Sequence, residues 1–407
     1  MTYRHRIIDD TLDEIFSDLA AIALDGAKGV GKTATGSARA ATVLDMSNSQ
    51  LRGIVETDST YLDHVPRPIL LDEWQLLPEV WDRVKRGVDA DLTGGRYLLA
   101  GSAGVAPGVR THSGAGRIVS LKMRPLSLAE RGIAQPSVSL RELLGGDPPK
   151  IKGRTDMTVS GYIGEILAPG VPGIRVLPEE VRPFQLDSHI DRIVQHEMPE
   201  NGAIVRRPTA LHRWLAAYAA ATSTTAAYAT ILDAATAGDT VKAARNTLDA
   251  YREQLTRLFI LDPREARIAV FNPLKRLGSA PSITLSTRLW RPTSSVSIRR
   301  ACCAGTVRRR QADAWVGHLR TKDGQRAREI DLIVEGRDRS VVAIQVKLAG
   351  TVSDSDVRHL NWLHDQLGDR FGRPPPPQHR DGRLPPSGRR RRRSAGAAGA
   401  IMPCRIR

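Results

Sequence analysis

The chain has 407 residues, enough for two or three domains with cores of their own. Three cysteines, with Cys302 and Cys303 adjacent, exclude a disulfide framework or a cysteine-built zinc site and fit a reduced, cytoplasmic protein. No apolar run approaches the roughly 18 residues of a membrane span, so no membrane is expected, and a net charge of +16 points first to nucleic acid.

The location of that charge changes the reading. Residues 281–312 hold seven Arg and no acid, and residues 372–407 hold ten Arg and one Asp. These two segments carry the whole excess and all three cysteines, Cys404 included, so the rest of the chain is close to neutral. Basicity is therefore not expected of the folded domains.

The first stretch, "MTYRHRIIDDTLDEIF", carries acids and lacks an apolar centre. It reads as an amphipathic helix and not as a secretory signal. "LAAIALDGAKGVGKTATGSARAATVL" then runs from an apolar strand through a glycine-rich turn into a helix of small residues. Gly26, Gly31, Lys32 and Thr33 fit the spacing G-x-x-x-x-G-K-[ST], so Gly26, Ala27, Lys28, Gly29, Val30, Gly31, Lys32 and Thr33 form an expected phosphate loop. Glycine lets main-chain N–H groups turn inward around a phosphate without Cβ clashes. Lys32 is expected on the β- and γ-oxygens of ATP, and the Thr33 hydroxyl on Mg2+.

A second piece should accompany such a loop. In "PRPILLDEWQ", Ile69, Leu70 and Leu71 read as a buried strand ending in Asp72 and Glu73. Carboxylates at the C-terminal end of a strand sit beside a phosphate loop in a doubly wound sheet. Asp72 is expected to hold Mg2+ and Glu73 to polarise the attacking water. A third strand, Tyr97 to Ala100 in "GRYLLAGSAG", ends in Gly101 and Ser102. Ser102 either touches the γ-phosphate or the attacking water, or caps the strand. In "THSGAGRIVSLKMRP", Arg117 follows a glycine turn and precedes a strand-like alternation. It either reaches a phosphate, in its own subunit or a neighbour's, or is a plain surface residue.

In this order and spacing, the phosphate loop, "LLDEWQ", "LLAGSA" and "GRIVSLKMRPLSLAERG" resemble a bacterial and archaeal group of AAA-type ATPases. Members of that group carry a C-terminal domain of unknown function related to restriction endonucleases. The likeness continues through "GYIGEILAPGVPGIRVL", "LDSHIDRIVQHEMPE" and the helical runs to "AYREQLTRLFILDP", and resumes over 313–370. Between 152 and 200 the chain reads as helices broken by a loop, "APGVPG". Short helices followed by "LFILD" suit a winged helix, which the resemblance also implies. Trp214, Tyr218 and Tyr228 fall at helical spacings and read as core.

Near the C-terminus, three strands are expected: Val316 to Arg320, Glu329 to Glu335 and Val341 to Lys347. Asp331, Gln345 and Lys347 look like the PD-(D/E)xK nuclease core, with Gln345 standing where that pattern has Glu. An amide is a weaker, uncharged metal ligand, so an inherited fold without cleavage is expected. Residues 281–312 show neither helical nor strand period. A permitted coding of "SITLSTRLWR", shifted by one base, reads Lys-His-His-Pro-Leu-Asp-Pro-Ala-Leu-Ala, close to what the family has here. We read 282 to about 311 as out-of-frame translation, and the arginine-rich tail either as the same or as a genuine disordered basic arm for nucleic acid; resequencing the gene separates the two. A nuclease-like sheet lacking its first helix and its last strand is then expected to expose apolar edges and to be marginal or misfolded.

The expected fold class is α/β: a P-loop AAA-type doubly wound parallel sheet, a helical, winged-helix-like region and a small α+β nuclease-like domain. The expected organisation is an ATPase domain over 1–150, the helical region over 151–280, an irregular segment over 281–312, a nuclease-like remnant over 313–370 and a disordered basic tail over 371–407. The expected activity is Mg2+-dependent hydrolysis of ATP to ADP and phosphate, with DNA and further copies of the chain as candidate partners. The alternatives are a non-catalytic, ATP-binding DNA switch and the degraded product of a pseudogene.

Overall fold

The computed structural model describes residues 3–102, 112–133, 139–144, 157–222, 228–236, 245–263, 315–323, 326–336, 340–347, 354–367 and 399–403. The irregular segment 281–312, and the tail apart from 399–403, lie outside them. Five parallel strands form the first sheet: β1 (Ala21–Asp25), β2 (Thr42–Asp45), β3 (Ile69–Asp72), β4 (Tyr97–Gly101) and β5 (Ile118–Lys122), in the order β2-β3-β4-β1-β5. The central strands are apolar throughout because both faces are covered. Alternation sends Ile22, Leu24, Leu70, Leu98 and Ala100 to one face, and Ala21, Ala23, Ile69, Leu71, Tyr97 and Leu99 to the other.

The second of those faces is covered by α3 (Ser49–Thr57), α4 (Tyr61–His64) and α5 (Glu79–Ala90). α5 buries Val80, Val84 and Val88, four residues apart on one stripe. α3 starts at Asn48, whose side chain accepts from the N–H groups of Gln50 and Leu51 at 3.0 and 3.2 Å. The first face carries α1 (Ile7–Ile15), whose Ile8, Leu12 and Phe16 are buried. α2 (Lys32–Ser37) packs Gly36 so closely on the sheet that a Cβ there would stand 2.7 Å from a Leu70 methyl.

That first face does not end with the domain boundary expected at 150. One core joins Ile22, Leu24 and Leu121 to Ile193, Val194, Met198, Leu211, Trp214, Tyr218, Leu255 and Leu261. These come from α9 (Arg182–Arg192), a π turn (Ile193–Glu197), α10 (Met198–Glu200), α11 (Pro208–Ala220), α12 (Tyr228–Ala235) and α13 (Arg245–Arg257). Trp214 and Tyr218 are core, as their spacing implied, while Tyr228 packs at the margin. "LFILD" forms turns and a single bridge at Leu261, not a strand. No described helix is long and apolar enough to cross a membrane.

A second sheet holds β6 (Trp315–Asp323), β7 (Arg326–Glu335), β8 (Val341–Lys347) and β9 (Gly399–Pro403), in that order. β9 corrects two expectations. Residues 399–403 were expected in a disordered tail, and the sheet was expected to lack its last strand; instead Gly399–Pro403 pairs in parallel with Ala343–Lys347. The open edge of β8 offers unpaired N–H and C=O groups, and this strand satisfies them. The faces are also covered. Leu143 and Leu144 of α6 (Leu140–Leu144), expected within the ATPase domain, pack on Val316, Val334 and Ile344. Leu360 and Leu363 of the helix Asp354–Leu367 pack on Ile330 and Ile333.

One ion pair in the N-terminal half is buried on both sides. Arg6 and Glu130 are 3 % and 8 % exposed and meet at 3.2 Å. Glu130 also accepts from the N–H groups of Ile7 and Ser127, while Arg6 donates to the carbonyls of Val30 and Arg124. Removing one partner of such a pair leaves a buried charge uncompensated. Glu130→Ala should therefore cost about 3–5 kcal/mol in urea unfolding. Removing the exposed Arg257–Glu253 pair of α13 should cost about 0.5 kcal/mol or less. Equal losses would contradict this account.

Candidate functional site

β1 lies between β4 and β5, and the chain leaves β1 for the far edge of the sheet before returning through β3 and β4. β4 then connects to β5 on the other side of β1. Such a reversal opens a crevice at the carboxyl ends of the strands. The turn after β1 enters that crevice. Gly29 and Gly31 have φ of 78° and 103°, in the left-handed region that favours glycine. At Gly26 a Cβ would stand 2.3 Å from the main-chain oxygen of Met123, so the loop approaches β5 more closely than any side chain allows.

Lys32 is 6 % exposed and turned into this loop. Its Nζ donates to the carbonyls of Gly26 at 2.7 Å and Ala27 at 3.0 Å, and the third ammonium hydrogen is left over. Burial pushes its pKa down to about 8, against the charges of Glu73, Asp72, Asp25 and Glu197, which act to raise it. Asp72 ends β3 and is buried; burial raises its carboxyl, the neighbouring Thr33 hydroxyl lowers it, and Glu73 and Asp45 raise it again. Glu73 follows in a left-handed conformation, φ 49°, which a non-glycine residue rarely adopts. Gln75 Nε2 donates to Glu73 Oε2 at 2.5 Å, and Ser102 Oγ, at the end of β4, lies 3.4 Å from the same oxygen.

The structure thus brings together Gly26, Ala27, Lys28, Gly29, Val30, Gly31, Lys32, Thr33, Asp72, Glu73 and Ser102. It does not bring Arg117 to them. Arg117 precedes β5 at the amino end of the sheet, opposite the loop, and pairs with Asp89 at 2.5 Å. Within its own subunit it cannot reach a phosphate held there. Asp331 and Gln345 meet in the other sheet, where Gln345 Nε2 donates to Asp331 Oδ2 at 2.8 Å. The Lys347 side chain lies outside the described residues. Sequence reasoning missed Gln75, which is two residues past Glu73, and the buried Arg6–Glu130 pair. Ser127-x-x-Glu130 is a capping-box spacing and was readable: Ser127 N donates to Glu130 at 2.6 Å and Glu130 N to Ser127 Oγ at 3.4 Å.

The donor set fits a hard cation beside a polyphosphate. Thr33 and Asp72 supply oxygen only, and Asp72 sits among carboxylates that a divalent charge would offset. Among the described residues no three His, Cys, Asp or Glu side chains form a metal cage. Mg2+ is ordinarily held by one or two protein oxygens together with phosphate oxygens.

A parallel sheet in this order with a glycine loop and inward lysine defines a P-loop nucleotide-binding domain of AAA type. Residues 19–131 match the family model of an AAA domain, and residues 302–375 match a domain of unknown function, DUF4143. Among solved structures, the Walker-type ATPase PABY2304 of Pyrococcus abyssi is 14 % identical over 70 % of this chain and 94 % of its own, with a TM-score of 0.38. Drosophila ORC bound to DNA is 15 % identical over 74 % and 95 %, with a TM-score of 0.25. The replication initiator DnaA bound to AMPPCP and single-stranded DNA is 15 % identical over 62 % and 88 %, with a TM-score of 0.23. No curated relative matches the chain in sequence. The assignment rests on the family model and the site, not on these distant likenesses.

Lys32 also sets a pH dependence. The folded chain releases its proton near pH 8, whereas an unperturbed lysine holds it to about 10.5. Between those values the unfolded state binds more protons, so stability rises with pH. The penalty is complete below about pH 8. Lys32→Met should flatten the slope of unfolding free energy against pH between about 8 and 10. A slope equal to the wild type's would show that Lys32 is not buried as described.

Proposed function

We propose that the chain is an Mg2+-dependent ATPase that converts ATP to ADP and phosphate. The observation that carries the reading is the buried Lys32 ammonium, held by two loop carbonyls with one hydrogen left over, with Asp72 at the end of β3 and Glu73 after it acting on its charge. In this reading Gly26–Thr33 wraps the phosphates with main-chain N–H groups, and Lys32 binds the β- and γ-oxygens. Thr33 and Asp72 hold Mg2+, which when bound supplies positive charge against the phosphate oxygens. Glu73 takes the proton of the attacking water. Ser102, next to the same Glu73 oxygen, orients that carboxylate or the water.

A second reading, in which ATP binding is the signal and turnover is negligible, is favoured by one observation. Gln75 and Ser102 both engage Glu73 Oε2, so that oxygen is committed before any water arrives. Steady-state phosphate release, with and without added DNA, separates the two readings and tests DNA as a partner. Light scattering with and without nucleotide tests self-association.

The variants have distinct expected outcomes. Lys32→Ala should abolish MgATP binding measured by calorimetry. Glu73→Gln should keep binding while phosphate release falls by about 10²-fold or more. MgATP affinity unchanged in Lys32→Ala would defeat the site. Unchanged turnover in Glu73→Gln would remove Glu73 from the chemistry but leave the binding site standing.

A further inference from the structure

The phosphate loop is walled by the helical region as well as by the sheet. Val171 Cγ1 would stand 3.1 Å from a Cβ on Gly29, and Pro172 Cγ 4.0 Å from one on Gly31. Farther along, Glu197 reaches the same loop, with Oε1 3.7 Å from Lys28 Nζ. The Lys28 side chain is 58 % exposed and that of Glu197 only 14 %. A largely buried carboxylate is an unfavourable neighbour for a polyanion. Its field reaches the loop interior: Glu197 raises the pKa of Lys32. The Glu197 carboxyl is itself pushed up, first by burial, while Lys28 lowers it and Glu200 and Glu73 raise it.

The backbone fixes this placement. Glu197 is the last residue of the π turn Ile193–Glu197, between α9 and α10. Such a turn adds a residue to the helical winding and re-aims the side chains beyond it. Ile193, Val194 and Met198, on either side, are buried in the core that contains Ile22, Leu24 and Val30. Glu197 is therefore not free to swing into solvent. His189, earlier on the same rod, adds no compensating charge. Its Nε2 is buried without a partner, and burial, then Lys28, lowers its pKa. On this wall the cation nearest Glu197 is Lys28, and Glu197 already engages it.

We propose that Glu197 sets the preference of the loop between nucleoside triphosphate and diphosphate, by holding Lys28 in the free protein and yielding it when a terminal phosphate arrives. The inference rests on the reading of the loop as an ATP site. A γ-phosphate adds negative charge that a diphosphate lacks, so the repulsion from Glu197 and the competition for Lys28 fall mainly on the triphosphate. ATP binding is then opposed by an anion anchored in the helical core, and α9, the π turn and α10 feel which nucleotide is present.

The test is calorimetry of the full chain with Mg2+ and either AMPPNP or ADP. Glu197→Gln should tighten AMPPNP by about tenfold, the factor that one unit charge roughly 10 Å away supplies at an effective dielectric of about 20. ADP, which carries one negative charge fewer, should tighten by a smaller factor, so that the AMPPNP-to-ADP affinity ratio rises. Lys28→Met should move the AMPPNP-to-ADP affinity ratio the other way. A folded Glu197→Gln protein with the wild-type ratio would overturn the inference. Should Glu197→Gln not fold, an unchanged ratio in Lys28→Met would overturn it. Failure of the wild-type chain to bind either nucleotide defeats the reading of the loop, a different result from an unchanged ratio.

Discussion

A buried ammonium is the constraint around which the N-terminal half is built. Taking Lys32 out of water disfavours its charged form, and the fold answers with carbonyl oxygens rather than with a direct ion pair. Among the described residues no carboxylate comes within 4.0 Å of Lys32 Nζ. Asp72, Glu73 and Asp25 act on it from farther off. A partly compensated cation in a water-poor loop favours an incoming anion more strongly than a solvated surface lysine does. The tight geometry around it follows: Gly26 against the Met123 carbonyl, left-handed turns at Gly29 and Gly31, and Arg6 held on the Val30 carbonyl. Each fixes the course of the loop whose Gly26 and Ala27 carbonyls receive the ammonium.

Much of this site was legible because its parts are local. The loop, the Asp72–Glu73 pair and Ser102 each end an apolar run, and a parallel sheet places all such ends on one side. What brings Ser102 to Glu73 is not local. It depends on β4 lying between β3 and β1, which is fixed by the crossovers and not by any one segment. Arg117 shows the same limit from the other direction. A glycine turn before a strand is readable, but the end of the sheet on which it falls is set by strand direction, and here that is the wrong end for a phosphate. Gln75 escaped notice because its reach to Glu73 depends on the left-handed backbone at Glu73 itself, which nothing in "DEWQ" announces.

The helical region was harder to read, since its meaning lies in contacts across long stretches of chain. "APGVPG" looks like a break between helices, yet it packs on the loop. A Cβ on Gly170 would stand 2.8 Å from the Leu126 carbonyl, so that glycine serves close approach as much as flexibility. Glu165 binds both Arg131 and Arg175, tying α7 (Val159–Leu167) and α8 (Pro172–Arg175) to the turn after β5. Asp262, past the end of α13, pairs with Lys122 and Arg124 at the carboxyl end of β5. These ties, with the shared apolar core, make the helices part of the nucleotide domain's wall rather than an appended module.

The second sheet follows a different electrostatic logic. Had a carboxylate stood at 345, it would have faced Asp331 across a short gap, and two such charges need a cation between them or a raised pKa. The Gln345 amide instead donates to Asp331, and its own oxygen is buried without a partner among the described residues. The sheet accommodates Asp331 in part through this amide, which donates to its Oδ2. Its remaining need is coverage, which comes from α6 on one face, the helix Asp354–Leu367 on the other and β9 along the edge. α6 precedes the helical region in sequence and the helix Asp354–Leu367 follows it, so the coverage of the second sheet draws on chain from both sides of that region.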